Sequence, residues 1–231
     1  MSAGPVMSRH LSRKEKQART RAALLRSAAK LICRKGITDA SIDDVAADAG
    51  YTKGAFYANF KNKEEMFLVM LDEAYAEELE RLETHLAGRG GPAEEVRRSA
   101  EDFLSFARSN PDWPRLYFEF VVYAARNPEF REELATRNRA MRERIAQVIR
   151  TWARDFPAQP PFPYEDIATM LFCMADGFLI QQLIEPGVDM ELYGTMNATL
   201  FKGIGASALG LDVEALGEAQ EASSRKAGAG R

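Results

Sequence analysis

GITDASIDDVAADAGYTKGAFYANFKNK, residues 36–63, decides the fold. Gly36 and Gly50 interrupt the chain at two points, because glycine alone enters the left-handed region without steric cost. Ser41 precedes Ile42, Val45, Ala46 and Ala49, which share one face, so a short helix capped by Ser41 is predicted. Asp43 and Asp44 lie in its first turn, where the helix dipole favours acids. Thr52 caps a third segment, about Lys53 to Asn59. In that segment Phe56 and Phe60 stand four apart and can anchor it on a core. Thr52, Lys53, Gly54, Ala55, Tyr57 and Asn59 are small, basic or hydrogen-bonding. Two short helices across a tight glycine turn, braced by a longer helix on each side, form a helix-turn-helix whose second helix can enter a DNA major groove.

Outward from this stretch the chain reads as helices punctuated by Pro, Gly and Asn, with no period-2 strand run. Residues 1–12 read as a mobile arm. A helix from about Arg13 to Arg34 carries the stripe Leu24, Leu25, Ala28, Leu31 and Ile32, and Gly36 ends it. A fourth helix runs from about Asn62 to His85, followed by a loop at Gly88–Pro92. Further helices are predicted from Pro92 to Asn110, Pro114 to Arg126 and Pro128 to Phe156, the last roughly 40 Å long. Asn127 reads as its cap, with Pro128 in the first helical position. A proline-rich connector, Pro157–Pro163, leads to helices at Tyr164–Glu185 and Asp189–Ala208, and the tail after Leu216 reads as disordered. The expectation is an all-α chain of nine helices. The arm, residues 1–12, is followed by a DNA-binding domain at 13–61, a ligand-binding and dimerisation bundle at 62–210 and a disordered tail at 211–231.

Charge supports this division. Residues 1–61 carry twelve Lys and Arg against five Asp and Glu, a surplus of seven, so within a net charge of −3 the remainder carries a deficit of ten. A basic head on an acidic body suits a polyanion partner. Cys33 and Cys173 lie far apart inside apolar patterns and read as buried small hydrophobes, which fits a reducing cytoplasm. No signal-peptide stretch is expected at the N-terminus, and no run of roughly 18 unbroken apolar residues suggests a membrane span. His10 and His85 lack Cys or carboxylate neighbours at ligand spacing, so no metal or other cofactor is called for.

The run AGYTKGAFYANFKNKEEMF, residues 49–67, closely resembles the signature of the TetR (tetracycline-repressor-like) family, and GITDASIDDVAADAG resembles the family's first helix-turn-helix element. The resemblance covers about residues 20–68; the rest matches in general plan only. It implies a dimeric transcriptional regulator acting on double-stranded operator DNA, with Thr52, Lys53, Gly54, Ala55 and Tyr57 lining the recognition helix. Gly54 would let backbone approach DNA, while Tyr57 and Lys63 would each hold a phosphate. Ser41 would add a phosphate contact, or serve only as a cap. Tyr57 can also be read as a core tyrosine and Lys63 as an exposed lysine. Arg13, Lys14, Lys16, Arg19 and Arg21 could reach the DNA backbone or minor groove, or be solvated charges. Asn59 departs from the His or Tyr frequent before the second phenylalanine, and no base contact is assigned to it.

In the body, aromatic and thioether residues crowd the middle helices. Ordinary core packing explains any one of them. The resemblance implies a ligand cavity there, with Phe103, Tyr117, Phe120, Asn138, Met141 and Phe178 as candidates and an apolar or aromatic small-molecule effector. Glu119, Gln181 and Gln182 are polar neighbours of these stripes. The last two long helices would pair with those of a second copy through Ile167, Met170, Leu171, Met174, Leu192, Met196, Leu200 and Ile204, unless these stripes bury only within their own chain. A helical enzyme is disfavoured, because no paired Glu-x-x-His, no buildable Ser-His-Asp set and no nucleotide-binding loop is present. A protein-interaction adaptor would need no basic head.

Overall fold

Ser12 opens the first helix through a reciprocal box: its hydroxyl accepts the Glu15 N–H and the Glu15 carboxylate accepts the Ser12 N–H. Two backbone N–H groups that a helix start leaves orphaned are thereby satisfied. The same logic of caps and apolar stripes repeats down the chain. The computed structural model describes residues 12–86, 92–155, 159–189 and 191–209; within them it contains nine α-helices, one 3₁₀ turn and no strand. The helices are α1 (Arg13–Asp39), α2 (Ile42–Asp48), α3 (Lys53–Tyr57), α4 (Lys63–Leu86), α5 (Pro92–Ser109), α6 (Trp113–Arg126), α7 (Pro128–Trp152), α8 (Tyr164–Ile184) and α9 (Glu191–Ala208). The expected arm before Ser12, loop residues 88–91 and the tail after Leu216 lie outside the described residues.

Most ends fall where the breakers place them. Two differ. Helix α3 closes at Tyr57 rather than Asn59, because the Asn59 N–H turns to Phe56 O in a tighter turn. Helix α7 ends at Trp152 and tightens into the 3₁₀ turn Ala153–Asp155.

The chain divides into two compact units. One comprises Met1–Asp72 with Arg115–Leu134, the other Glu73–Pro114 with Ala135–Arg231. In the first, Leu24, Ala28 and Ile32 of α1, Val45 of α2, Phe56 of α3, and Phe67 and Leu71 of α4 are all buried. Ser27 is a buried polar group, satisfied by donating to Val45 O at 3.1 Å and Asp48 Oδ2 at 2.8 Å, and this ties α1 to α2. Helix α6 joins this unit by stacking Phe120 on Phe67, centroids 5.7 Å apart. Its polar residues also reach the head. Arg115 donates to Cys33 O at 3.4 Å, Glu119 accepts the Ile37 N–H at 2.9 Å, and the Tyr123 hydroxyl donates to Glu64 Oε1 at 2.7 Å. Burial, reinforced by Glu64, pushes the Tyr123 hydroxyl up to about 12.

In the second unit α5 lies along α9, with Gly194 facing Ala100: a Cβ there would stand 3.8 Å from that of Ala100, an ordinary contact. One cluster gathers Met141, Ile145, Ile149 and Ile167; another gathers Ala100, Leu104, Phe178 and Tyr193. Helix α8 is unusual. It contains an 18-residue stretch of mean hydropathy 1.6, enough in length and composition to cross a membrane, although no unbroken apolar run announces it. Only 22% of that stretch is buried. Cys173, expected to be buried, is exposed on this helix, and Cys33 is half-buried; neither forms a disulfide. The α8 stripe continues past the residues its own chain covers, which is why the expectation failed for Cys173.

Gly36 breaks α1 near its end, at φ 81° and ψ 164°, a region open essentially to glycine alone. A Cβ there would also stand 3.3 Å from Glu119 Oε2. Gly36→Ala is expected to lower unfolding free energy by about 1–3 kcal/mol in urea denaturation. Gly54→Ala, with no positive φ and 3.7 Å from its nearest neighbour, should instead raise stability by up to about 1 kcal/mol.

Candidate nucleic-acid interface

A five-residue helix cannot hold its own shape in water, so α3 is defined by what surrounds it. At its entry, the α2 end forms a paired-bond cap: Gly50 N–H donates to Ala47 O at 3.0 Å and Tyr51 N–H to Ala46 O at 2.8 Å, with Gly50 at φ 76°. Thr52 then caps α3, its hydroxyl accepting the Ala55 N–H at 3.2 Å. On the inner face Phe56 and Phe60 are 0% and 2% exposed, with ring centroids 5.5 Å apart. The Arg21 guanidinium lies 4.9 Å from the Phe60 ring centroid and donates to Asn59 O, bracing the exit.

With the inner face fixed, the outer face follows from the helical period. Thr52, Lys53 and Gly54 are exposed, Ala55 is half-buried, and Tyr57 is 52% exposed. Tyr57 meets Phe56 edge-on at 5.6 Å, so its ring root is packed while much of the side chain stays open. Asn59 turns back on its own helix, its amide donating to Ala55 O at 2.8 Å. No side chain in the first turn of α3 is acidic.

The expected phosphate donors around α3 are already engaged within the head. Lys53 Nζ sits 3.0 Å from Asp43 Oδ2. The Ser41 hydroxyl donates to Asp44 Oδ2 at 2.6 Å and accepts the Asp44 N–H at 3.1 Å. Lys35 completes this group at 2.6 Å from the same carboxylate oxygen. Lys35, then Ser41, holds the Asp44 carboxyl down at about 2, so this cap remains charged until pH falls far below the ordinary aspartate range. Lys63, half-buried at the start of α4, lies 3.5 Å from Thr38 O and 5.7 Å from the Tyr123 ring centroid. Arg13, Lys14, Lys16 and Arg19 are exposed along the first turns of α1.

The six ligand candidates fall in three places. Phe103 and Phe178 pack on Tyr193 at 4.8 and 5.3 Å between centroids. Met141 belongs to the Ile145–Ile167 cluster, at whose edge Asn138 accepts the Tyr75 hydroxyl at 2.8 Å. Tyr117 and Phe120 are buried in the other compact unit. Sequence reading missed Tyr193, whose burial pushes its hydroxyl up; the spacing to Asn197, which donates to Tyr193 O at 2.8 Å, was a usable signal. It also missed Tyr75 and the acids Asp43 and Asp44 as partners. Glu119 serves the Ile37 N–H, and Gln182 Oε1 is buried without a partner among the described residues.

Comparison with known proteins agrees with this geometry. The family model described as bacterial regulatory proteins, tetR family, matches residues 24–70, and the BetI-type transcriptional repressor C-terminal model matches residues 92–197. The HTH-type transcriptional regulator YfiR of Bacillus subtilis is 26% identical over 72% of this chain and 81% of its own length. EthR of Mycolicibacterium smegmatis is 27% identical over 74% and 78%. The solved structure of the fatty acid degradation regulator FadR from Bacillus halodurans superposes with a TM-score of 0.65 at 12% identity, covering 78% of this chain and 93% of that one. An N-terminal helix-turn-helix, an all-helical body and two matching family models covering most of the chain make this protein a member of the TetR family of transcriptional regulators, and not an enzyme.

Proposed function

We propose that the protein is a repressor that binds a near-palindromic operator as a homodimer and is released by a small-molecule effector. The observation that carries this reading is the division of α3: Phe56 and Phe60 are locked inside, while Thr52, Lys53, Gly54 and much of Tyr57 face outward. Gly54 offers backbone to the DNA, Tyr57 its hydroxyl, Ala55 a small apolar contact, and Lys53, Lys63 and Ser41 hold phosphates. Phosphate contacts set register; base contacts from α3 set sequence. The reading places the protein with the chromosome, in the cytoplasm.

Dimerisation through α8 and α9 is supported by what these helices leave uncovered. Ile167 is 1% exposed, and Leu171, Met174 and Ile204 pack within the chain. Ile180, Leu183, Ile184, Leu192 and Met196 are instead 37–72% exposed. An apolar surface of this kind on a soluble regulator calls for a partner, and a second copy provides an isologous one. The dimer would set two α3 helices about 34–36 Å apart, or a multiple of it. An apolar or aromatic effector, seated in the second unit among residues such as Phe103, Asn138, Met141 and Phe178, would favour another spacing and shift the population off DNA.

Binding of a genome-selected fragment, followed by fluorescence anisotropy over a salt series, tests the DNA reading. Lys63→Ala should weaken binding about tenfold or more and flatten the log–log salt slope by about two per dimer. Tyr57→Phe should weaken it about five- to 150-fold, the loss of one modest hydrogen bond per head and so two per dimer. Unchanged binding in both variants contradicts the assigned phosphate contacts. For the dimer, Ile184→Glu combined with Ile180→Glu should give monomers in sedimentation. Operator affinity should fall by about 10²–10⁴ as the two heads lose their linkage. A dimer that survives both charges contradicts this interface.

A further inference from the structure

Each acid of α2 is matched with a base of the head. Asp48 lies 3.9 Å from Arg34, Asp44 lies 2.6 Å from Lys35, and Asp43 lies 3.0 Å from Lys53. The first two carboxylates also serve hydroxyls, Asp48 that of Ser27 and Asp44 that of Ser41, and so help build the head. Asp43 differs. Its partner is the opening residue of α3, and the two side chains are 66% and 55% exposed. A pair so open to solvent contributes little to stability. It nevertheless occupies Lys53, drawing the lysine pKa upward through the hydrogen bond.

We propose that Asp43 is an internal counterion to Lys53, standing where a DNA phosphate would, and that it sets the strength and salt dependence of DNA binding. The inference rests on the reading that α3 faces DNA. A free lysine that neutralises a phosphate releases condensed cations, giving about 0.9 of log–log slope per contact. A lysine already paired with Asp43 must exchange one anion for another, and the carboxylate it leaves beside the DNA draws a cation back. The net effect is weaker binding and a shallower slope than the number of lysines implies. Because the exchange is paid by operator and non-operator DNA alike, Asp43 tunes affinity rather than sequence preference. It thereby keeps the complex weak enough for a modest effector coupling to release it.

The test uses the full-length chain and two fluorescein-labelled duplexes, one selected from genomic fragments and one of random sequence, over a KCl series. Asp43→Asn keeps the shape and a hydrogen-bonding side chain while removing the charge. It is expected to tighten binding to both duplexes roughly three- to tenfold at low salt and to steepen the slope by about two per dimer. In a Lys53→Ala background the same change should lose most of that gain, since Asp43 acts through Lys53. Wild-type binding that depends on Tyr57 but is unaltered or weakened by Asp43→Asn overturns the inference and leaves the DNA-binding reading standing. A gain that persists undiminished without Lys53 overturns it too, as generic charge removal. If the wild type binds neither duplex, the DNA-binding reading falls and this inference falls with it.

Discussion

The burial of two phenylalanine rings is the constraint on which the head depends. Helix α3 has five residues, and a helix so short is not stable alone. Phe56 and Phe60 give it a position by burying aromatic surface, with α2 and α1 as the packed neighbours of α3, and an aromatic ring removed from such a core costs about 3–5 kcal/mol. Once those rings are inside, the helical period leaves no choice about which residues face out. Thr52 and Gly50 set the entry, and Arg21, over the Phe60 ring and bonded to Asn59 O, sets the exit. Recognition chemistry and core packing are thus two faces of one short segment, Thr52–Phe60.

The second layer of support comes from α6. Arg115, Glu119 and Tyr123 stand at successive i, i+4 positions and reach Cys33 O, the Ile37 N–H and Glu64 in turn. The Glu119 contact meets the head where Gly36 leaves helical geometry, so a carboxylate satisfies a donor that the break would otherwise orphan. These bonds make α6 part of the same compact unit as the helix-turn-helix.

How much of this was legible depended on sequence distance. The caps Ser41 and Thr52, the breaks at Gly36 and Gly50, and the inward Phe56 and Phe60 are local patterns within a few residues, and local physics fixes them. The fold class and the outward set Thr52, Lys53, Gly54 and Tyr57 follow from them. Glu119 and Ile37 are 82 positions apart, and nothing in either neighbourhood announces the bond. Glu119 therefore read only as a polar neighbour of an apolar stripe. Asp43 read as a dipole-favoured acid, which it is, without sign of its pairing to Lys53 across the turn. In the body, aromatic crowding marked a core correctly but could not group its members: Phe103 and Phe178 meet through Tyr193, while Tyr117 and Phe120 belong to the other unit. The covered and uncovered sides of α8 also share one apolar composition, so only packing separates buried Ile167 from exposed Cys173 and Ile184.

The most direct test of the central claim, that α3 enters the major groove, is tethered cleavage. Ala58 is exposed at the end of α3, so Ala58→Cys in a Cys33→Ser, Cys173→Ser background can carry an iron chelate that cuts nearby DNA. The account predicts two clusters of major-groove cuts in a selected operator fragment, about 34–36 Å apart or a multiple of it and related by the dyad of the site. Cuts scattered without dyad symmetry, or a protected fragment left uncut, would contradict it.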